Sequence, residues 1–459
     1  MSIGLAAEHE ELRDVAARWL AAHCPREVVR AAVDAADDPA TPDGPALAEL
    51  AAGFGLLELC VVVEQAGRAM LPGAFLPSAF LSVLLGRAED GTVAWRAGAL
   101  QGTTASDGVV ARGELRPVLS AGRAPWLLAP VQVDGGRQWW LLSADEVRVE
   151  SLDSLDLTRR VAAVFVDDVR LPAERCIAVD DSRVDAVGAL LFAAEAAGIA
   201  DWCLRTATDH ARVREQFGYP IGHFQAVKHG CADMLVAAEQ ARAAVWDAAV
   251  AADADVLPEE ALVAAETAAA VAPQAAFDNA KRCIQILGGI GFTWEHDAHL
   301  HLRRAQTVRA LLGGAATWRL RLARHAKAGV RRRYSLALPP EAEPVRAQVR
   351  EAVERLVALP PDQRRRELAL GGWLMPHLPP PAGRAAGPLE QVLISEELKD
   401  AGIERPHLEV GAWALPTLLE HGTDQQRKQW VEPTLLGELK WCQLFSVPGA
   451  GSDLAALST

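Results

Sequence analysis

The sequence predicts a mainly α-helical protein with one small β-domain, and two observations predict it. The hydrophobic pattern is helical to about Gly86, breaks into short strand-like runs from Gly91 to Cys176, and turns Ala-rich and helical again after Asp181. An internal echo then shows that this plan begins a second time. Leu57-Glu58 with Val61, Val62, Glu64, Gln65 and Ala69 returns as Leu389-Glu390 with Leu393, Ile394, Glu396, Glu397 and Ala401, 332 residues later. In both copies apolar residues recur at i, i+3 and i+4 with acids on the other face. Any two amphipathic helices share that much. The helical stretches that precede them, Glu10 to Leu20 and Val345 to Leu356, favour a tandem duplication of a domain over chance.

In chain order, residues 1–90 form an N-terminal helical domain. Residues 91–180 form the β-domain, whose clearest runs are Trp126-Leu127-Leu128-Ala129, Gln138-Trp139-Trp140-Leu141-Leu142 and Val161-Ala162-Ala163-Val164-Phe165-Val166. Gly135-Gly136 lies between two of these runs as a hairpin turn, so a meander or small barrel is expected. Residues 181–332 hold candidate helices at 183–216, 224–252, 258–287 and 299–326, a four-helix bundle. Pro339-Pro340 marks a linker, because consecutive prolines stop a helix. Residues 333–459 carry the N-terminal helices of the second unit, with Pro379-Pro380-Pro381 in a loop.

Composition narrows the function. Among 459 residues the formal net charge is -14, and no basic stripe interleaved with aromatics occurs, which argues against nucleic acid. The seven cysteines stand singly with no CxxC pair, which points to reduced thiols in a cytoplasmic protein and against a metal site. Met1 to Trp19 reads as a charged amphipathic helix and not as a leader, and no apolar run is expected to span a bilayer.

Three segments carry chemistry. The first is Arg212-Val213-Arg214-Glu215-Gln216-Phe217-Gly218, continuing through Pro220-Ile221 to Phe224-Gln225; the second is Gln285-Ile286-Leu287-Gly288-Gly289-Ile290-Gly291-Phe292. The third is Trp441-Cys442-Gln443-Leu444-Phe445-Ser446-Val447-Pro448-Gly449-Ala450-Gly451-Ser452-Asp453. Together, in an α–β–α order, they resemble the signatures of the acyl-CoA dehydrogenase family. The resemblance implies a helical domain, a β-barrel-like domain and a four-helix bundle, an FAD cofactor and an acyl-CoA substrate.

By that resemblance Arg214, Gln216, Phe217, Gln225, Gln285, Gly288 and Gly289 form the part of a flavin site that reaches across to a neighbouring unit. A guanidinium such as Arg214 can give a pyrophosphate two parallel hydrogen bonds. Glycines without a Cβ let backbone come close to the adenine or ribose. A solvated cation at a helix end and a plain helix C-cap account for the same residues in structural terms. Gln443, Phe445 and Ser446 would face the flavin from a strand, and Ser452 would meet the substrate. Val447 stands where the family has Glu. A Gly-rich surface turn is the structural alternative for this run.

The first unit departs from the family pattern. Nothing between Leu100 and Pro130 resembles the flavin-ring loop, and the connection near Ala51-Ala52-Gly53-Phe54-Gly55 is short. The family's catalytic carboxylate would align with Leu312, counted from Arg303 and Ala305, and its alternative position falls near Leu191. Leucine accepts no proton, so no catalytic residue is identified. Glu195, one helical turn from Leu191, is a weak fallback, and Glu295 reads as a loop group. The pattern resembles the fused or two-subunit acyl-CoA dehydrogenases of actinobacteria, some of which act on steroid-CoA side chains. The second unit is expected to continue beyond Thr459.

Two functions follow from the resemblance. One is an FAD-dependent dehydrogenase that oxidises an acyl-CoA to the 2,3-enoyl-CoA, passes electrons to an electron-transfer flavoprotein, and is incompetent alone. The other is a catalytically silent partner subunit, in a homo-oligomer or beside a second acyl-CoA dehydrogenase chain. An oxidase would share these residues.

Overall fold

A computed structural model of the chain describes residues 7–35, 55–253, 258–332, 338–444, 447–448 and 451–458. They fall into two compact units, Ser2–Ser335 and Leu336–Thr459. The first opens with helices α1 (Ala7–His23), α2 (Arg26–Asp34), α3 (Leu56–Arg68) and α4 (Phe75–Leu85). Eight strands follow, β1 (Gly91–Val93), β2 (Leu100–Ala105), β3 (Gly108–Leu119), β4 (Trp126–Val133), β5 (Gly136–Ser143), β6 (Arg148–Leu152), β7 (Val161–Pro172) and β8 (Cys176–Ile177), in one sheet ordered β6-β7-β3-β2-β4-β5-β8 with β1 paired to β4. A plain meander would pair each strand with the next. Here β2 (Leu100–Ala105) and β4 (Trp126–Val133) pair in parallel. The Gly135-Gly136 turn does join β4 to β5 (Gly136–Ser143), with Val133 opposite Gly136.

Side chains of adjacent residues point to opposite faces of a strand, and the sheet uses both faces. Leu127, Ala129, Trp140 and Leu142 enter one apolar cluster within the sheet, whereas Leu128, Trp139 and Leu141 enter the core shared with the helices. That helical core is built around α5 (Asp181–Val213), α6 (Gln225–Asp253) and α7 (Pro258–Leu287). Asp180 caps α5, its Oδ1 accepting from the Arg183 backbone N–H at 2.7 Å. The expectation that no apolar run could span a bilayer needs correction: the best window of α5 has mean hydropathy 1.5, enough by length and composition. That window is 89% buried within the protein, so its apolarity serves the bundle core.

Two helix predictions also change. The helix predicted over 183–216 ends at Val213, where Arg214 turns extended and the chain enters a hairpin. The helix predicted over 299–326 is two, α9 (Ala298–Leu311) and α10 (Gly314–Lys327), separated at Gly313, whose φ of +75° is left-handed. The one-turn α8 (Gly289–Phe292) precedes them.

The second unit contains α11 (Ala342–Ala358), α12 (Pro361–Leu370), α13 (Pro388–Asp400), α14 (Val410–His421) and α15 (Asp424–Leu435). The sequence echo is visible in their bounds. Helices α3 and α13 are both 13 residues long and start 332 residues apart, and α1 and α11 are both 17 residues long. Val349, Val353 and Leu356 of α11 pack with Leu393, Ile394 and Leu398 of α13. Arg346 ties the same pair together through Glu396 (2.7 Å) and Glu397 (2.9 Å). Among the described residues, the units diverge after the fourth helix, where the first enters its sheet and the second adds α15.

Candidate functional site

The end of the bundle gathers the residues of the first two motifs. Helix α5 stops at Val213 and a two-residue hairpin follows, pairing Glu215–Gln216 with Tyr219–Pro220. Phe217 and Gly218 form its turn at φ +54° and +81°, a geometry that asks for positive φ at both positions. Ile221 donates its backbone N–H to the Arg214 carbonyl (2.7 Å), closing the hairpin against the helix end. The hairpin leads to Gln225, the first residue of α6. Near that start, Arg282 of α7 donates to Asp233 (2.7 Å), which fixes the end of α7 beside it.

Arg214, Gln216, Gln225 and Gln285 are all exposed, and Phe217 is 89% exposed. Gln216 donates to the Glu215 carbonyl (2.7 Å), and Gln225 contacts His229 at 3.5 Å. The Arg214 side chain makes no hydrogen bond or ion pair among the described residues. Gly288 takes φ +68° and ψ −139°, which is costly for any residue with a Cβ. A Cβ added at Gly288 or Gly289 would meet nothing within 4 Å, so both glycines face open space. The structure thus brings this set to one end of the bundle as an exposed cluster of hydrogen-bond donors around bare backbone.

The third motif lies in the second unit. Phe445 and Ser446 are outside the described residues, as are residues 51–54 of the shortened connection. Gln443 and Ser452 are exposed. The expected strand through Gln443 is not formed: residues 441–444 have no regular structure, for want of a paired strand. Trp441 turns back instead, its indole N–H donating to Thr434 Oγ1 at 2.9 Å.

The positions aligned with the family base hold no usable carboxylate. Leu191 and Leu312 are both fully buried. The Leu312 carbonyl accepts from the Trp318 indole N–H (2.8 Å) and from Arg96. Glu295 is exposed in a loop whose backbone is gripped by Arg26 and Arg30 of α2. Glu195 belongs to a buried group of four charges. Arg159 engages both of its carboxylate oxygens, one at 2.9 Å, and Arg304 reaches it at 3.4 Å. Arg304 also donates to Asp156 (2.9 Å), to Thr158 and to the Leu71 carbonyl (2.9 Å). Burial alone would raise the Asp156 carboxyl, but Arg304, Arg159 and the Thr158 hydroxyl outweigh it and hold it below the usual carboxylate range. Glu195, the fallback base, is therefore committed to a structural cluster.

Sequence reasoning missed this quartet. Its local sign was the polar run Asp156, Thr158 and Arg159 just before the apolar run that starts at Val161, with Arg304 beside the aligned Arg303. It also missed His301, which stacks on Trp202 with ring centroids 3.5 Å apart. Its ring nitrogens lie 3.2 Å from the Asp297 carbonyl and 3.4 Å from the Arg68 carbonyl. Burial pushes the imidazole down to about 4, against the pull of those carbonyls. A histidine depressed in the folded state stabilises fully above its unfolded pKa of ~6.5 and loses that contribution as pH falls toward the folded value. Stability of the Ser2–Ser335 unit is therefore expected to drop by about 3 kcal/mol between pH 6.5 and pH 4 through this group. Urea unfolding across that range checks it, with His301→Gln flattening the dependence.

The α–β–α order places the exposed donor cluster at one end of the helical bundle. Residues 186–327 match the acyl-CoA dehydrogenase C-terminal domain, and residues 339–438 match the acyl-CoA dehydrogenase N-terminal domain. That order, C-terminal domain before N-terminal domain, is what a second unit starting after the first requires. The acyl-CoA dehydrogenase IpdE2 of Mycolicibacterium smegmatis is 31% identical over 326 residues, covering 67% of this chain and 96% of that protein. The chain belongs to the acyl-CoA dehydrogenase family, oxidoreductases acting on CH–CH donors and dependent on FAD. Acyl-CoA dehydrogenase FadE34 of Mycobacterium tuberculosis is 44% identical over 419 residues, 89% of this chain. The chain spans 57% of the length of that relative. Among solved structures, a variant of the Tcur3481-Tcur3483 steroid ACAD overlays 72% of this chain and 99% of its own at TM-score 0.62. The ChsE4-ChsE5 complex from Mycobacterium tuberculosis overlays 71% and 99% at TM-score 0.61. At 23% identity each, these two show the fold alone.

Proposed function

We propose that the whole protein is an FAD-dependent acyl-CoA dehydrogenase in which Ser2–Ser335 is a non-catalytic half that completes a flavin site. The observation that carries the flavin-completing role is the exposed donor set around Gly288-Gly289, and the fully buried Leu312 at the position aligned with the base, its carbonyl accepting from Trp318, supports the non-catalytic part. The donor set at the bundle end fits the polar half of FAD. Arg214 would meet the pyrophosphate, the amides of Gln216, Gln225 and Gln285 would meet phosphate or ribose oxygens, and Gly288-Gly289 would let the adenine or ribose lie against backbone. Phe217 would cover the cofactor's apolar surface.

When bound, the flavin accepts the hydride that leaves Cβ of the thioester as the α-proton goes to a base. The residues of Ser2–Ser335 bind and orient that cofactor but move no proton, because Leu312 and Leu191 cannot and Glu195 is held by two guanidinium groups. By the family resemblance, Gln443, Phe445 and Ser446 of the unit that begins at Leu336 would face a flavin ring and Ser452 a substrate. The base would lie outside Ser2–Ser335. A fatty acyl-CoA or a steroid side-chain CoA thioester is the proposed substrate, an electron-transfer flavoprotein the electron acceptor, and the cytoplasm the location.

The test is FAD affinity of the assembled enzyme. Losing a charge-assisted pair to phosphate is worth about 1.5–3 kcal/mol, so Arg214→Ala is expected to weaken FAD binding by roughly 10–100-fold. The flavin absorbance retained after desalting reads this directly. A silent assembly subunit, which the buried Leu312 equally favours, predicts unchanged FAD affinity in Arg214→Ala. That result would defeat the flavin-completing role.

A further inference from the structure

Between Asp297 and Glu341 the chain has no Asp or Glu, although it carries 60 of them in 459 residues and a net charge of -14. Helix α10 (Gly314–Lys327) lies inside this acid-free run. Its inner side presents Trp318 and Leu322 to the helical core. Counting about 3.6 residues per turn, Arg319, Leu320, Ala323, Arg324 and Lys327 fall within an arc of roughly 140° on the other side, and all five are exposed. Arg331 follows just beyond the helix, also exposed, its guanidinium donating to the Ala326 and Val330 carbonyls at 2.7 and 2.9 Å.

Two features set this face apart from an ordinary solvated helix. Arg319, Arg324 and Lys327 make no ion pair and no side-chain hydrogen bond among the described residues. Exposed arginines of other helices have an acid one turn away, as Arg212 has Asp209, Arg355 has Glu351 and Arg427 has Asp424. On α10 the neighbour one turn away is another cation, as with Arg324 and Lys327, and like charges so placed repel. The helix dipole favours cations in the last turn, which accounts for Arg324 and Lys327. It does not account for Arg319 in the first half of the helix or for Arg331 beyond its end. Second, Leu320 is 57% exposed within the arc, among the cations.

We infer that the outer face of α10 docks on an anionic phospholipid surface, with Arg319, Arg324, Lys327 and Arg331 among the headgroups and Leu320 at the acyl boundary. Charge complementarity selects an anionic partner, and Leu320 selects lipid. Mobile headgroups gather around cations whatever their spacing, and the boundary beneath them takes up an apolar side chain. A nucleic-acid backbone or a run of acidic side chains would leave Leu320 in water, and the arc holds no aromatic ring on which a base could stack. The negative charge of the rest of the chain turns the α10 face toward the membrane. This goes beyond the flavin-completing role of Ser2–Ser335 and uses none of the residues assigned to it.

The experiment is co-sedimentation of the 459-residue protein with phosphatidylcholine vesicles, with and without phosphatidylglycerol, at low and at high salt. The protein is expected to sediment with the anionic vesicles at low salt and to be released at high salt, where screening shortens the reach of the attraction. Each cation near an anionic surface is worth about fivefold, so Arg319→Gln should lower the partition coefficient by about that factor, and Arg319→Gln, Arg324→Gln and Lys327→Gln together on the order of 100-fold. Leu320→Asn should lower it at least about threefold. The triple variant Arg87→Gln, Arg355→Gln and Arg366→Gln removes as much charge from exposed arginines elsewhere and should keep the parent's binding. A labelled DNA duplex and polyglutamate are titrated in parallel, and binding of either without binding of anionic vesicles would overturn the inference. Equal sedimentation with neutral and anionic vesicles, parent-like binding by the α10 triple variant or by Leu320→Asn, or equal losses in the two triple variants would also overturn it. FAD retention is expected to be the same in the α10 triple variant as in the parent, so failure here leaves the flavin-completing role standing.

Discussion

Glu195→Gln is expected to destabilise the Ser2–Ser335 unit by about 3–5 kcal/mol, the scale of removing one partner from a buried ion pair. The change keeps the side chain's shape and removes its charge. Arg159 and Arg304 would then share Asp156 alone, inside a core where Glu195 and Asp156 are each 2% exposed and Arg304 is fully buried. Urea unfolding reads the effect as a fall in midpoint at unchanged slope. A loss below about 1 kcal/mol would show that the quartet is not needed for stability. Replacing Glu195 and Arg159 together by apolar residues of similar volume is expected to recover much of the loss, because no stranded charge remains on that pair. The same cluster makes the unit sensitive to acid. The Asp156 carboxyl is depressed in the folded state, so its contribution is present above its unfolded value of ~3.9 and is lost as pH falls through the folded one. A general base is arranged in the opposite sense, with one face open to substrate and a pKa near working pH.

What is legible in the sequence is local. The helix predicted over 258–287 has those bounds in the structure, because its apolar spacing is continuous and glycines follow it. The 332-residue repeat is visible because helix α3 and helix α13 each keep a whole amphipathic face. The Gly288-Gly289 turn can be read because paired glycines end a helix, whereas the hairpin after Arg214 begins inside the stretch expected as helix over 183–216. The break at Gly313 escapes notice because the residues on either side continue a helical pattern. The quartet is invisible for a different reason: Glu195 and Arg304 are 109 residues apart, and Asp156 and Arg304 are 148 apart. Periodicity carries no information about which distant charges will meet. The α5 helix misleads in the other direction. It is surrounded on nearly all sides, so it lacks the polar stripe that marks a surface helix, and its composition alone does not separate a bundle core from a membrane span.

Restoring a carboxylate at the aligned position is expected to fail as a route to catalysis. Leu312→Glu would place an acid in the apolar cluster that holds Val308 and Trp318, at a site with no solvent exposure. A carboxyl there loses its hydration, which raises its pKa and favours the protonated form. A protonated carboxyl cannot take the α-proton, so the substitution supplies the atoms of a base without its function. The backbone would be strained as well as the side chain. The Leu312 carbonyl is already committed to Trp318 and Arg96, and the chain turns left-handed at Gly313 directly after it. Moving the new side chain toward solvent would break those bonds. A cost of at least about 3 kcal/mol is expected, in line with other substitutions that bury an unpaired polar group. Urea unfolding measures that cost, and turnover of a CoA thioester by the assembled enzyme measures the chemistry. Parent-like stability together with faster turnover in Leu312→Glu would mean that the pocket around residue 312 still admits substrate, and that Ser2–Ser335 lost its base without losing its active site.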